Sequence, residues 1–239
     1  LKHRHVVYIA LLLSAYLSPA LPADEIWRKA VEYAEKAALW QAETVRVITE
    51  VRDKSGELEK RSVIEMELEK ASTSVPVYQV ASASEDGKDI TGKTRKNFEK
   101  EEESANRFVA GLSISHFIPQ LEETLAYEPL PSSAYGGSGA AYRFSLQHRT
   151  EKDELLGVEG TALIDPESGA PLGLDYTISE GPKTLQYMNV SISFRENVEQ
   201  ISLPALLAME LGVKLLFMEK RIDLETRYGG YRRFPESKQ

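Results

Sequence analysis

Cysteine is absent from this 239-residue chain. Its absence excludes disulfide staples, thiolate metal sites, thiol nucleophiles and cysteine-linked lipid anchors. Histidine is scarce, with four in all, and His3 and His5 stand in the first five residues. Basic charge is in deficit: 29 Lys and Arg face 37 Asp and Glu, a formal net charge of −8. Such a chain lacks the cationic surface that releases counterions from a phosphate backbone, so no nucleic-acid partner is expected. The sequence holds no P-loop, no dinucleotide fingerprint and no H-E-x-x-H pair. No cofactor and no metal are expected.

What is present begins with "LKHRHVVYIALLLSAYLSPALPADEIW". A basic start (Lys2, Arg4), an apolar run Val6–Leu13 and the small residues Ser18 and Ala20 make the three parts of a secretory signal. Residues 1–23 are therefore expected to be a signal peptide, cut after Ala20 or Ala23. The apolar core is too short to span a bilayer easily. The rest, 24–239, is expected to be one exported, soluble, acidic domain.

Asp24–Trp40 reads as a helix, with Ile26, Trp27, Ala30, Val31, Ala34, Ala37 and Ala38 recurring at three- and four-residue spacing. The period then changes to two. In Glu43–Asp53, Val45, Val47, Thr49 and Val51 point one way while Arg46, Glu50 and Arg52 point the other. After the turn "DKSGE", Ile64, Met66 and Leu68 alternate with glutamates in Leu58–Glu69, which predicts a hairpin with one wet face. Val75–Ser82 predicts a third strand. "EDGKDIT" is a turn leading into the charged segment Thr91–Ser104, an exposed helix or excursion. A short apolar cluster, Leu112–Leu121, and a Pro/Gly/Ser loop, Glu128–Ala141, follow.

Alternation resumes in Tyr142–His148, weakly in Leu155–Ile164, and in Leu172, Leu174, Tyr176 and Ile178 after the turn "DPESGAP". It returns in Gln186, Met188, Val190, Ile192 and Phe194 after "EGPK". In Ile201–Leu211 the odd residues are apolar, and in Leu216–Tyr228 mostly the even ones. The phase change predicts a turn or bulge near Gly212. A membrane helix there would bury Glu210 and Lys214, so it is not expected; a core helix is the alternative. The expected fold is mainly β with a few helices: a strongly curved antiparallel sheet forming an open half-barrel, its mouth plugged or covered by helices.

Catalytic groups are hard to assemble. His116 and His148 are isolated, one in an apolar cluster and one on a strand. "GGSGA" (Gly136–Ala140) lacks the strand before and the helix after that a nucleophile elbow needs. The carboxylates sit on charged faces or in turns, and no enzyme activity is expected.

The helix running into "ETVRVITEVRDKSGELEKRSVIEMELE", the "EDGKDIT" turn, the "IDPESGAPLGLDYTIS" hairpin and the terminal "YGGYRRF" resemble the periplasmic outer-membrane lipoprotein-carrier superfamily (LolA/LppX-like, lipoprotein-sorting). The resemblance implies an unclosed barrel that takes an acyl chain, a lipid or a lipoprotein in its apolar interior, in the periplasm of a Gram-negative-type envelope. It also implies an inner- or outer-membrane envelope protein as a partner.

The inward sets Val45, Val47 and Val51; Ile64, Met66 and Leu68; Leu172, Leu174 and Tyr176; and Met188, Val190 and Ile192 are then the expected lipid-binding lining. Burial of an alkyl chain contributes about 0.8 kcal/mol per CH₂. The alternative is an envelope structural or protein-interaction module with a filled core and no lipid. An exported hydrolase is a further one, needing carboxylates gathered around His116 or His148.

Overall fold

The computed structural model describes residues 25–71, 76–100, 125–131, 139–149, 155–178, 184–196, 199–215 and 218–234. Two helices and eleven strands occur among them: α1 (Glu25–Ala37), β1 (Trp40–Arg52), β2 (Leu58–Lys70), β3 (Val77–Glu85), β4 (Lys88–Asp89), α2 (Thr91–Lys100), β5 (Leu125–Pro129), β6 (Ala140–Arg149), β7 (Leu155–Ile164), β8 (Pro171–Ile178), β9 (Leu185–Glu196), β10 (Ser202–Leu215) and β11 (Met218–Arg233). All eleven strands form one antiparallel sheet in the order β4-β3-β2-β1-β11-β10-β9-β8-β7-β6-β5. The ends of that order do not meet, so the sheet is an open, curved half-barrel. The first long strand lies beside the last one because β1 pairs with β11 from Trp40↔Arg233 to Arg52↔Arg221.

Alternation sorts the residues into two faces. The inner face is apolar and runs continuously across the strands. One row is Val47–Thr226–Leu207–Ile192–Leu174–Ala162–Tyr142. The neighbouring row is Val45–Tyr228 on β1 and β11, with Met66 on β2. Helix α1 covers one end of this face through Trp27, Ala30 and Ala34, all buried in the main core. Trp27 stacks on Tyr127 at 4.4 Å and meets the tilted Tyr142 ring at 5.2 Å. Glu25 in the first turn and Lys36 in the last complement the helix dipole.

The helix is shorter than its periodicity predicts. It ends at Ala37, and Trp40 already opens β1, where Leu39 O accepts the Phe234 amide at 2.7 Å. Pairing with β11 overrides the helical propensity of the intervening residues.

The turns follow from their residues. In "DKSGE", Asp53 Oδ1 accepts the amides of Ser55 (2.8 Å) and Glu57 (2.9 Å). Asp86 and Gly87 both have positive φ, 49° and 78°, and join Glu85 to Lys88 as a two-residue hairpin loop. Beyond it α2 closes the short edge. Thr91 bonds both backbone groups of Ala83, and the Arg95 guanidinium donates to Val80 O at 3.0 and 3.3 Å. Those side chains occupy backbone groups that an edge strand would otherwise offer to another chain.

The terminal hairpin is two strands, as its alternation predicts. The phase change follows from the hairpin register: Leu215 pairs with Met218, so odd residues of β10 stand opposite even residues of β11. Gly212 marks a register shift against β9, with the Tyr187 ring so close that a Cβ would lie 2.3 Å from it.

Candidate functional site

Eleven of the twelve expected lining residues lie on the inner face. Val45, Val47, Met66, Leu174, Val190 and Ile192 are buried within the main core cluster, each 6% exposed or less. Val51, Ile64, Leu68, Tyr176 and Met188 are half-buried. Leu172 departs from the expectation. It is 40% exposed, because β7 and β8 slip register between Leu163↔Gly173 and Ile164↔Pro171. The extra residue turns Pro171 inward and Leu172 outward, where its tip and that of Leu163 close over Gly139.

The interior carries two hydroxyls with no partner among the described residues, Thr226 Oγ1 and Tyr228 Oη. Burial raises the Tyr228 phenol well above its ordinary range and that of Tyr176 to about 12. Neighbouring Tyr78 donates to Ala42 O at 3.0 Å, and Tyr231 donates to Pro204 O.

Open space lies on the other face. A trough of about 760 Å³ is lined by outward residues of β1, β2 and β7 to β11, together with Gly160, Tyr176, Val190, Met209 and Leu224 of the inward set that alternate with them. Its floor is formed by the short side chains Ser191 on β9 and Ala208 on β10, which face each other in register. One wall is Glu159, Thr161, Asp175 and Thr177 on β7 and β8; the other is Glu50, Arg61, Asp223, Glu225 and Arg227 on β2, β1 and β11. Short residues between long ones on a twisted sheet leave a channel.

The second wall has an unusual register. Glu210, Asp223 and Glu50 stand directly opposite one another on three adjacent strands. Like charges so placed repel; Arg61, opposite Glu50 in the same row, and Arg52 and Arg221 of the neighbouring row offset them. Arg221 meets Asp223 at 2.8 Å and Glu210 at 3.0 Å; Arg52 meets Asp223 at 3.1 Å and also Glu50; Arg61 meets Glu50 at 3.3 Å. Arg227 holds Glu225 at 2.6 Å. The Tyr187 hydroxyl donates to Glu210 at 2.9 Å, and its partial burial, with that carboxylate beside it, raises its pKa. On the first wall Thr177 donates to Asn189 of β9 at 3.0 Å. Glu159 and Asp175 have no ion-pair partner among the described residues.

The remaining sequence candidates add little to either face. His116 and the cluster Leu112–Leu121 lie outside the described residues, as do Gly136, Gly137 and Ser138 of "GGSGA". His148 is on β6, its backbone opposite Leu156. Among the described residues no group of three or more His, Asp or Glu could hold a metal ion, and no helix is long and apolar enough to cross a membrane. Sequence reasoning missed the trough. Its one local signal is the alternation of charge in Arg221, Asp223, Glu225 and Arg227, which reads as an ordinary wet face.

No protein-family model matches the chain, and no curated protein does. Among solved structures the chain is similar to a Pseudomonas aeruginosa MucA/MucB complex, at 8% identity over 89% of this chain and 100% of that one, with a TM-score of 0.21. MucB in complex with MucA(peri) gives 9%, 87%, 98% and 0.21. The di-domain ARO/CYC BexL from the BE-7585A biosynthetic pathway gives 10%, 87%, 81% and 0.21. At that score the likenesses carry no argument; the fold rests on the sheet itself.

Proposed function

We propose that this chain is an exported, non-catalytic binding module that receives a segment of a partner protein in its polar trough. The carrying observation is where the space lies. The inner face is packed with its own side chains and plugged by Trp27, while the trough is walled by polar and charged groups. Its walls stand on β8 and β11, three strand spacings or about 14 Å apart from backbone to backbone, a span that one segment of polypeptide fills.

A second reading, acyl-chain binding, is supported by a row of half-buried apolar side chains. Val51, Ile222, Leu211, Met188 and Ile178 adjoin one another across five strands, at the end of the inner face away from α1.

One experiment separates the two. Decapeptides selected for binding from a random library are titrated into labelled protein, and a fluorescent fatty acid is titrated in parallel. Amide shifts centred on Ser191 and Ala208, with no fatty-acid binding, are the expected result. Fatty-acid binding that shifts Met188 and Ile222, or an amphiphile retained in native mass spectra, overturns the trough reading in favour of the second.

A further inference from the structure

The two walls of the trough differ in what their charges still need. On the β11 side every lining carboxylate has a cationic partner: Glu50, Glu210, Asp223 and Glu225 are held by Arg52, Arg61, Arg221 and Arg227. On the β7–β8 side Glu159 and Asp175 have none among the described residues. Glu159 stands opposite Thr177, and Thr161 opposite Asp175. The two carboxylates are therefore diagonal neighbours on one face, about 7–8 Å apart along the backbone. A single amine or guanidinium between them would meet both, with the hydroxyls of Thr161 and Thr177 alongside.

We infer that the partner segment is basic, and that one of its lysine or arginine side chains seats between Glu159 and Asp175. The inference rests on the trough reading and adds the charge of the occupant. The neutralised wall explains the choice of side. A cation laid against β11 would compete with arginines already bonded at 2.6 to 3.3 Å, whereas on β7 and β8 it displaces nothing. The floor of Ser191 and Ala208 offers no charge of its own, so the wall decides.

The test compares charge-matched variants of the whole chain against the selected peptides. Glu159→Gln with Asp175→Asn removes both free carboxylates. Glu67→Gln with Glu69→Gln removes two exposed carboxylates of β2 that do not line the trough, so it reports the effect of net charge alone. Selected peptides are expected to be rich in Lys and Arg. The first double variant is expected to weaken them between about twofold and thirtyfold, the range two exposed ion pairs span; the control double should weaken them less than about twofold. Raising salt to 0.5 M is expected to weaken wild type more than the first double variant.

Peptides that map to the trough but are neutral or acidic, or that respond equally to both doubles, overturn the basic-segment inference and leave the trough reading standing. Peptides that do not map to the trough overturn both. Circular dichroism of each double checks that the sheet is intact.

Discussion

The two faces of β11 are built by opposite means. Ile222, Leu224, Thr226 and Tyr228 point inward, and Arg221, Asp223, Glu225 and Arg227 point outward. Inside, stability comes from burial, at roughly 25 cal/mol per Å² of apolar surface. Two polar atoms there have no partner among the described residues, Thr226 Oγ1 and Tyr228 Oη, and Thr226 is fully buried. Outside, each of the four charges has an opposite charge in reach, yet pairs this exposed are each worth only about 0–1 kcal/mol. One strand thus contributes its inner set to the fold and its outer set to the shape and charge of a surface.

The strongest way to break that contrast is at the plug. Trp27→Ala removes the ring stacked on Tyr127 and packed on Tyr142. Denaturant titration should show a loss of about 3–5 kcal/mol. Peptide binding to the trough of the remaining folded protein should be unchanged, because the removed ring lies on the opposite face. A loss below about 1 kcal/mol would mean that α1 is not part of the core.

The next effect has the opposite sign. Thr226→Val replaces a buried hydroxyl, unpartnered among the described residues, with a methyl of the same shape. Stability is expected to rise by about 1–2 kcal/mol. A fall would show that Oγ1 has a partner in solution and that the inner face is not purely apolar in its energetics.

Much of this division can be read from the order of residues alone. The alternations in Glu43–Asp53 and, within the described residues, in 142–146 and 219–228 assign faces correctly, because a period of two has one geometric meaning. "DKSGE", "EDGK" and "DPESGAP" all mark turns for reasons of local chemistry. What cannot be read that way depends on register. Leu172 alternates with Leu174 in sequence, and only a slip against β7 turns it outward. Arg52 and Asp223 bridge β1 to β11 across 171 residues of chain. The trough floor joins Ser191 to Ala208 through pairing, and no local motif announces either residue.

On the outer face the expected effects are smaller and depend on salt. Arg52→Gln leaves Glu50 and Asp223 facing each other with only Arg61 and Arg221 to offset them. Both carboxylates are about a quarter exposed. The loss should be roughly 0.5–1 kcal/mol in low salt and shrink at 0.5 M NaCl as screening weakens the repulsion. Trp27→Ala, measured in the same two buffers, should show no such change. A salt-independent loss for Arg52→Gln would mean that the arginine stem packs rather than pairs.

The smallest effect probes the turn that sets which face each end of β8 uses. Asp165 Oδ1 accepts the amides of Glu167 (2.9 Å) and Ser168 (2.7 Å) and the Ser168 hydroxyl (2.9 Å). Gly169, at φ +77°, closes the turn where a Cβ would lie 2.6 Å from the Lys29 backbone of α1. The Ser168 hydrogen bonds hold the Asp165 carboxyl below its ordinary range. A depressed pKa contributes stability above the unfolded value, about 3.9, and that contribution is lost as pH falls through the folded value. Asp165→Asn should therefore be less stable than wild type at pH 7, by less than about 1 kcal/mol for so exposed a group. The gap should close as pH is lowered below about 4, because protonated Asp165 resembles Asn. Urea midpoints measured across that range test it. A gap that stays constant would mean that the carboxyl charge does not hold the turn, and that the outward placement of Leu172 is secured by strand pairing alone.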